Sequence, residues 1–501
     1  MTMRTDSRAA HGRLLGILLL AAAVRSVGLS RGLWLDEIAN VGVLTRPAVQ
    51  ALFNVEITTA RAPFFFVLYR PWLAMAGDSA VAARWPALLG GVLSVALLWR
   101  LARTWAGPRV GDGAALLLAL NPLHIWYSQE ASFYTFVSAL ALWVVWQSTT
   151  LAPDASHRRL GRQHVLWALG LALLLASSPW TLFLSAALGA WVFIWQRAHS
   201  RIYLIVLGLA LLLSAPALVV YLRGVMAGWS TPVTRPGLPL PQMIYSLLTL
   251  AWGFAVGPAP EALRQALANG VGLGTLARQN LGWLVLGASG LALLLFTAGK
   301  RLLFPRRAPG FSRGGLVLLW LSVPLLGANL LTWWAQTNFN VRYVLFALPA
   351  LLVGMAALDR RLVNMAVALS VLFWLRGVTD PAFAQENLQL PAQFLQAAVQ
   401  PTDVVLLQAP EVYLLAPLAF YGAPAGALAW YNGDTALSQS PAAFARQNTA
   451  GHCRIWLWSA RAWLIDREGA LAAALAASAT PVTTWRWPGS ELTLYQRAPC
   501  P

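Results

Sequence analysis

Lysine is nearly absent from this chain: Lys300 is the only one. Acids are scarce too, with 18 Asp plus Glu against 36 Lys plus Arg. Charged residues make up 11% of the 501 positions, whereas a soluble globular protein carries roughly 25%. That shortfall excludes an ordinary soluble domain. Cysteine is limited to Cys453 and Cys500, and no C-x-x-C or similar metal-ligand spacing occurs. If the C-terminal region faces an oxidising compartment, these two can form one disulfide, although sequence does not reveal their separation. No Gly-rich nucleotide-binding loop and no His-rich or multi-carboxylate cluster is visible, so neither a resident cofactor nor a divalent metal is implied.

What is abundant is apolar. Hydrophobic residues fill 58% of the chain and mean hydropathy is +0.60. Several apolar runs are long enough to cross a bilayer, so the sequence reads as a polytopic membrane protein. Leu14 to Val24 follows Arg13, but no small-residue cleavage site comes after it, so this is expected to be a retained first span rather than a signal peptide. The net charge of +18 would suit a nucleic-acid partner, but the arginines cluster in short loops between apolar segments. That is the positive-inside pattern, and no nucleic-acid binding is expected.

Eleven spans are predicted: 14–29, 83–101, 113–124, 133–151, 165–177, 182–196, 202–222, 281–298, 315–333, 342–358 and 362–375. Arg25 lies near the outer end of the first, either snorkelling to the interface or facing a polar cavity. Pro63 to Gly77 is apolar but short, and Arg70-Pro71 interrupts it, so it is read as a helix lying in the membrane interface. With this count the short Arg-rich loops fall on one side. The N-terminus is then cytoplasmic, and residues 31–82 and 223–280 are large outer loops. From about Asp380 the composition turns polar, and short strand patterns (403–407, 454–458, 492–495) alternate with helical ones (412–420, 460–477). The expected organisation is an all-α transmembrane domain over 1–379 and a small extracytoplasmic α/β domain over 380–501. No chemistry is evident in the latter.

The outer face collects polar groups beyond what topology needs. Asp36 and Glu37 follow the first span; Arg61 precedes the interfacial helix; Arg84 opens the second span. Tyr127, Gln129 and Glu130 lie between spans three and four, and Arg342-Tyr343 opens the tenth. Carboxylates beside arginines at one membrane depth suit an anionic lipid headgroup and a group that must lose a proton. Any one of them taken alone is equally well an interface anchor or ion pair.

Four motifs in order carry a resemblance: W-L-D-E at 34–37, R-A-P-F-F-F-V-L-Y at 61–69, A-A-R-W-P-A-L-L-G-G at 82–91 and Y-S-Q-E-A at 127–131. Together they resemble the GT-C superfamily of polyprenyl-phosphate-sugar-dependent glycosyltransferases, on the branch of protein O-mannosyltransferases and lipid A aminoarabinose transferases. The likeness covers residues 14–150 and then rests on topology and on Arg342-Tyr343 followed by Pro349. It implies that Asp36 matches the catalytic aspartate, with Glu37 its acidic neighbour and Glu130 a second catalytic acid. Arg61 and Arg342 would contact the donor phosphate, with Arg84, Tyr127, Gln129 and Tyr343 completing the substrate site. The chain departs from the pattern at Ala62-Pro63, where Pro-Pro is usual, and at Ser132, where an arginine is usual.

The resemblance implies sugar transfer from a polyprenyl-phosphate donor to a hydroxyl of a lipid, glycan or protein acceptor. The expected place is the extracytoplasmic face of a bacterial-type inner membrane. A lipid-linked sugar flippase would instead be expected to show internal repeats and broken mid-membrane helices. A ligase or polymerase of the O-antigen type is expected to rely on a late outer loop rich in Arg and His. The 223–280 loop has arginines but no histidine.

Overall fold

The computed structural model describes residues 2–151, 161–226, 239–269, 272–303, 311–410 and 412–498. His157, Arg158 and Arg159, the inner-loop Arg306 and Arg307, Arg235 and Cys500 lie outside the described residues. Cys453 is disulfide-bonded.

The chain is mostly helical. α1 (Thr2–Ser26) leads into a first loop region holding α2 (Leu35–Thr45), α3 (Pro47–Leu52), α4 (Val55–Thr59) and α5 (Pro63–Ala76). There follow α6 (Ala80–Ala106), α7 (Pro108–Leu120), α8 (Pro122–Ser128), α9 (Tyr134–Leu151), α10 (Arg162–Ser177), α11 (Leu182–Trp195) and α12 (Ser200–Met226). A second loop region carries α13 (Leu240–Trp252), α14 (Pro260–Asn269) and α15 (Leu273–Gln279). The bundle closes with α16 (Leu281–Leu303), α17 (Phe311–Trp334), a 3-10 turn at Val341–Ala347, α18 (Leu348–Ala356) and α19 (Arg360–Thr379).

Nine of the eleven predicted spans fall on one helix each; 113–124 is broken at Asn121 between α7 and α8, and 342–358 runs from the 3-10 turn into α18. By length and composition, six of the described helices can cross a membrane: α1, α6, α12, α16, α17 and α19. The other predicted spans are shorter or less apolar. α7 has only 13 residues, because Asn121-Pro122 stops it and starts α8. Asn121 Oδ1 accepts from the His124 amide at 2.9 Å, and its Nδ2 donates to the carbonyls of Leu250 and Ala251. One side chain thus turns the chain, caps α8 and ties it to α13. α5 buries Phe65, Phe66, Tyr69 and Leu73 and leaves Val67 and Met75 68% and 79% exposed. α5 thus has one packed face and one bare apolar face.

Arg25 neither snorkels nor lines a cavity. It is fully buried, donating to the carbonyls of Ala21, Leu118 and Ala119, to Ser128 Oγ and to His124 Nδ1. It supplies donors to the orphan carbonyls where α7 ends, the role a cation plays best at a helix C-terminus. Space for it comes from Gly91 of α6, whose absent Cβ would stand 2.3 Å from Ser128 Oγ and 3.1 Å from Arg25 Nε.

The C-terminal region holds α20 (Gln389–Ala398), β1 (Val404–Gln408), α21 (Leu415–Tyr421), β2 (Ala427–Tyr431), α22 (Gly433–Ser438) and α23 (Pro441–Thr449). It ends with β3 (Arg454–Ser459), α24 (Ala470–Ala476), β4 (Thr480–Trp487) and β5 (Ser490–Gln496). The sheet order is β2-β1-β3-β5-β4, parallel from β2 to β3 and antiparallel beyond. β2 and β4 are edge strands without a clear alternating apolar signal, and the sequence pattern did not predict them. β1 is buried along its whole length. Val405 and Leu407 join the core shared with the helical bundle, while Val404 and Leu406 join a smaller core with Phe444 and Leu475. One face of the sheet is therefore docked on the membrane domain.

Candidate active site

α2 begins with Trp34-Leu35-Asp36-Glu37, which places both acids in its first turn, where the helix dipole favours negative charge. Glu37 closes the turn by accepting from the Trp34 amide at 3.3 Å. Adjacent helical residues point about 100° apart, and here the two acids part ways. Glu37 and Arg84 are fully buried and paired at 2.5 and 2.7 Å. Glu37 also accepts from the Ala131 amide at 2.7 Å. The rest of Arg84 donates to the carbonyls of Leu29, Arg31 and Gly32. The pair staples the loop 29–32 and the start of α2 to α6 and to the turn before α9. Both were expected to touch substrate, and the structure places both inside the scaffold with their bonding capacity spent.

Asp36 points the other way and keeps 28% of its side chain exposed. Its Oδ2 accepts from Arg342 Nη1 at 3.0 Å, and the same nitrogen lies 3.7 Å from Glu130 Oε1. Three segments more than 90 residues apart thus meet on one guanidinium. Arg342 reaches this place because Asn340 caps the turn, accepting from the Arg342 amide at 3.1 Å. Asn340 Oδ1 also accepts from the Tyr127 hydroxyl at 3.4 Å. Arg342 lies over the Tyr134 ring at 5.3 Å, and Tyr343 stacks on Trp180 at 4.9 Å and 7°. Arg342 Nε is buried with no partner among the described residues.

Burial alone would raise the pKa of Asp36, but Arg342, then Arg61 and Arg461, outweigh it and hold the carboxyl below its usual range. Glu130 is more deeply buried and farther from Arg342. Desolvation dominates there, with the neighbouring Glu37 and Asp36 charges adding to it, and its pKa is pushed up to about 8. Two carboxyls beside one arginine are thereby pushed in opposite directions, Asp36 down and Glu130 up.

Arg61 stands exposed just before α5 and contributes to the field at Asp36. Gln129 turns away from this group: its Nε2 donates to the carbonyls of Val24 and Val27 and so caps α1. Among the described residues, no group of three or more His, Cys, Asp or Glu side chains converges as a metal site would.

Sequence reasoning missed Arg461. It enters from the C-terminal sheet domain after β3, with φ +47, in the left-handed region that non-glycine residues rarely occupy. It pairs with Glu386 at 2.6 Å, approaches Glu261 to 3.8 Å and lies 4.6 Å over the Tyr413 ring; Tyr413 donates to Glu386. The sheet domain also packs on the loop that leads into α2. The Leu33 amide donates to Tyr421 Oη at 3.0 Å, and a Cβ on Gly32 would meet Asn387 Oδ1 at 2.1 Å. The only sequence signal was an arginine at the start of the 460–477 segment read as a helix.

No family model matches the sequence, nor does any curated protein. Solved structures do match. ArnT from Cupriavidus metallidurans in the apo state aligns with 97% of this chain and 98% of its own, at a TM-score of 0.56 and 14% identity. The same protein bound to undecaprenyl phosphate gives 96% and 98%, 0.56 and 14%. The archaeal oligosaccharyltransferase AglB from Archaeoglobus fulgidus, in complex with an inhibitory peptide and a dolichol-phosphate, aligns with 97% of this chain and 74% of its own, at 0.50 and 13%. At such identities the likeness is one of fold alone, and it runs through the helical bundle and the C-terminal domain together.

Proposed function

We propose that the chain is a membrane glycosyltransferase that moves a sugar from a polyprenyl-phosphate donor to an acceptor hydroxyl at the extracytoplasmic face, with Asp36 as general base. The observation that carries this reading is the convergence of Asp36, Arg342 and Glu130 at one end of the helical bundle. A sugar on a lipid phosphodiester is already activated. The acceptor oxygen attacks the anomeric carbon, the bond from that carbon to the phosphate oxygen breaks, and the lipid phosphate departs with the electron pair. The acceptor proton passes to Asp36. A single displacement inverts the anomeric configuration. Arg342 and Arg61 take the developing charge on the phosphate, which the guanidinium fork matches. Tyr343 on Trp180 is an aromatic platform beside it. Glu37 and Arg84 hold the loop that presents Asp36.

An aspartate paired with arginine is a weak base. The donor phosphodiester is the natural competitor for Arg342, and once it draws the guanidinium off, Asp36 loses the main interaction that depresses its pKa. Donor binding therefore switches the base on, and protonated Glu130 keeps the net charge of the site low while it does so.

The test is transfer from a labelled polyprenyl-phosphate sugar by the purified full chain. Asp36→Asn should lower the rate by about 10²–10⁴-fold, the usual worth of a general base, and the product should carry the inverted anomer. A normal rate in Asp36→Asn would remove Asp36 as the base.

A further inference from the structure

A cavity of about 420 Å³ lies between the membrane domain and the sheet domain, within the size range of small-molecule sites. The membrane domain contributes Ser30, Arg46 and the turn 78–81 that opens α6; the sheet domain contributes Gln389, Phe420 and Tyr421. Asp36, Arg61, Glu130 and Arg342 do not line it. It is nevertheless close to them along the chain. Ser30 precedes Asp36 by six residues, which bounds their separation at about 20 Å. The Tyr421 hydroxyl in the cavity wall accepts from the Leu33 amide, so the cavity and the start of α2 share one loop.

The two charges of the cavity cancel. Arg46 Nε and Nη2 grip Asp78 Oδ2 and Oδ1 at 2.8 and 3.1 Å, a two-pronged pair. The same guanidinium lies 5.4 Å over the Phe420 ring. No lone charge is left in the lining to draw a phosphate, a carboxylate or an ammonium group. What the cavity does hold is unspent neutral hydrogen-bonding capacity. Among the described residues, the Gln389 side-chain amide and the Ser30 hydroxyl make no hydrogen bond, Arg46 keeps Nη1 free, and Tyr421 has its hydroxyl proton to give. Beside these groups stand the Phe420 and Tyr421 rings, edge to face at 4.9 Å. Planar amide, carboxylate and guanidinium groups match pairs of neighbouring hydroxyls, and aromatic rings match an apolar ring face. A lining of this kind with no net charge is complementary to a neutral carbohydrate.

We propose that this cavity is a subsite for a neutral oligosaccharide, and that it holds the acceptor glycan one or more sugars away from the hydroxyl that reacts at Asp36. The acceptor role rests on the glycosyltransferase reading and supplies the acceptor class that reading leaves open. The subsite needs both domains, since Arg46, Asp78 and Ser30 come from one and Gln389 and Tyr421 from the other.

Binding is read first, because it does not depend on catalysis. The full chain in nanodiscs is studied by saturation-transfer NMR with mannotriose, maltotriose and chitotriose as neutral probes and trigalacturonate as the anionic one. At least one neutral trisaccharide should receive saturation, and trigalacturonate none. Val81→Trp fills the cavity from a position of α6 that is 37% exposed and leaves the Ser79 cap in place, so the helix keeps its start. It should abolish the signal. Asp78→Asn leaves Arg46 without its counter-charge and should exchange the ligand class, with weaker neutral binding and new binding of trigalacturonate. Adding Arg46→Gln restores neutrality and should return the preference to the neutral probe. A pair that only braces the fold would not exchange ligand classes in this way. Saturation of none of the neutral probes overturns the proposal, as does binding of trigalacturonate by the unaltered protein or an undiminished signal in Val81→Trp. The bound trisaccharide is then supplied as acceptor with a labelled polyprenyl-phosphate sugar, and label should enter it. Label that enters other acceptors but never the bound trisaccharide overturns the acceptor role. Absence of transfer to any acceptor, with trisaccharide binding intact, fails the glycosyltransferase reading and leaves the carbohydrate site standing.

Discussion

At the scale of single residues, identical chemistry in the sequence resolves into opposite parts in the structure. Asp36 and Glu37 are neighbours of one type, and composition gives no way to tell which is buried. What separates them is helical phase, which sends Glu37 inward to Arg84 and leaves Asp36 facing Arg342. A buried pair of this kind contributes little net stability, but removing one partner typically costs about 3–5 kcal/mol, because the survivor is left charged and unpaired. Glu130 was legible as a carboxylate near Asp36; its raised pKa was not, since that depends on depth. It has a measurable signature. A carboxyl whose folded pKa is raised to about 8 binds a proton that the unfolded chain has already released above its ordinary 4.5. Its contribution to stability is complete below the lower value and is lost as pH rises through the higher one. The thermal midpoint of the purified protein should therefore fall between pH 5 and pH 8, about the window set by those two values, and Glu130→Gln should flatten that slope. An unchanged slope in the variant would mean that Glu130 is ionised throughout.

At the scale of elements, the long apolar helices were readable because apolar segments separated by arginines leave few arrangements; six of the described helices are long and apolar enough to cross a membrane, and the count of eleven spans stays an expectation. The short helices were harder. α8 is a seven-residue turn defined by one capping asparagine and a proline, and its importance comes from what it carries, Tyr127 and the approach to Glu130. The close crossing of α6 against α8 and α9 depends on Gly90-Gly91. A Cβ on Gly90 would lie 3.0 Å from the Phe136 amide nitrogen, and one on Gly91 would collide with Ser128. Gly91→Ala should destabilise the protein by about 1–3 kcal/mol, the cost of overpacking, and should lower transfer because it displaces α8. Gly16→Ala in α1, where nothing lies within 4 Å, should be neutral or stabilise by about 0.5–1 kcal/mol through helix propensity. Thermal unfolding of the two variants side by side separates packing from propensity; equal shifts would show that the crossing is loose.

At the scale of the whole molecule, the sheet domain acts on the candidate site through the charge of Arg461 on Asp36. Its composition gave no hint of chemistry, because its contribution is one arginine and a set of contacts that only the tertiary fold creates. Arg461→Ala should lower transfer at least about tenfold, the worth of a lost charge-assisted interaction. Arg461→Lys should rescue only part of it, since lysine cannot replace the fork. Normal transfer in Arg461→Ala would reduce the domain to a plain support. The long reach of these contacts also bears on biosynthesis. Leu33 is held by Tyr421, 388 residues later, and Asp36 by Arg342, 306 residues later. A chain threaded into the membrane from its N-terminus exposes the catalytic loop long before the parts that fix it exist. The loop that carries Leu33 and Asp36 therefore stays unfixed through most of insertion, and it takes its final place only when Arg342 and then Tyr421 have been made and have docked.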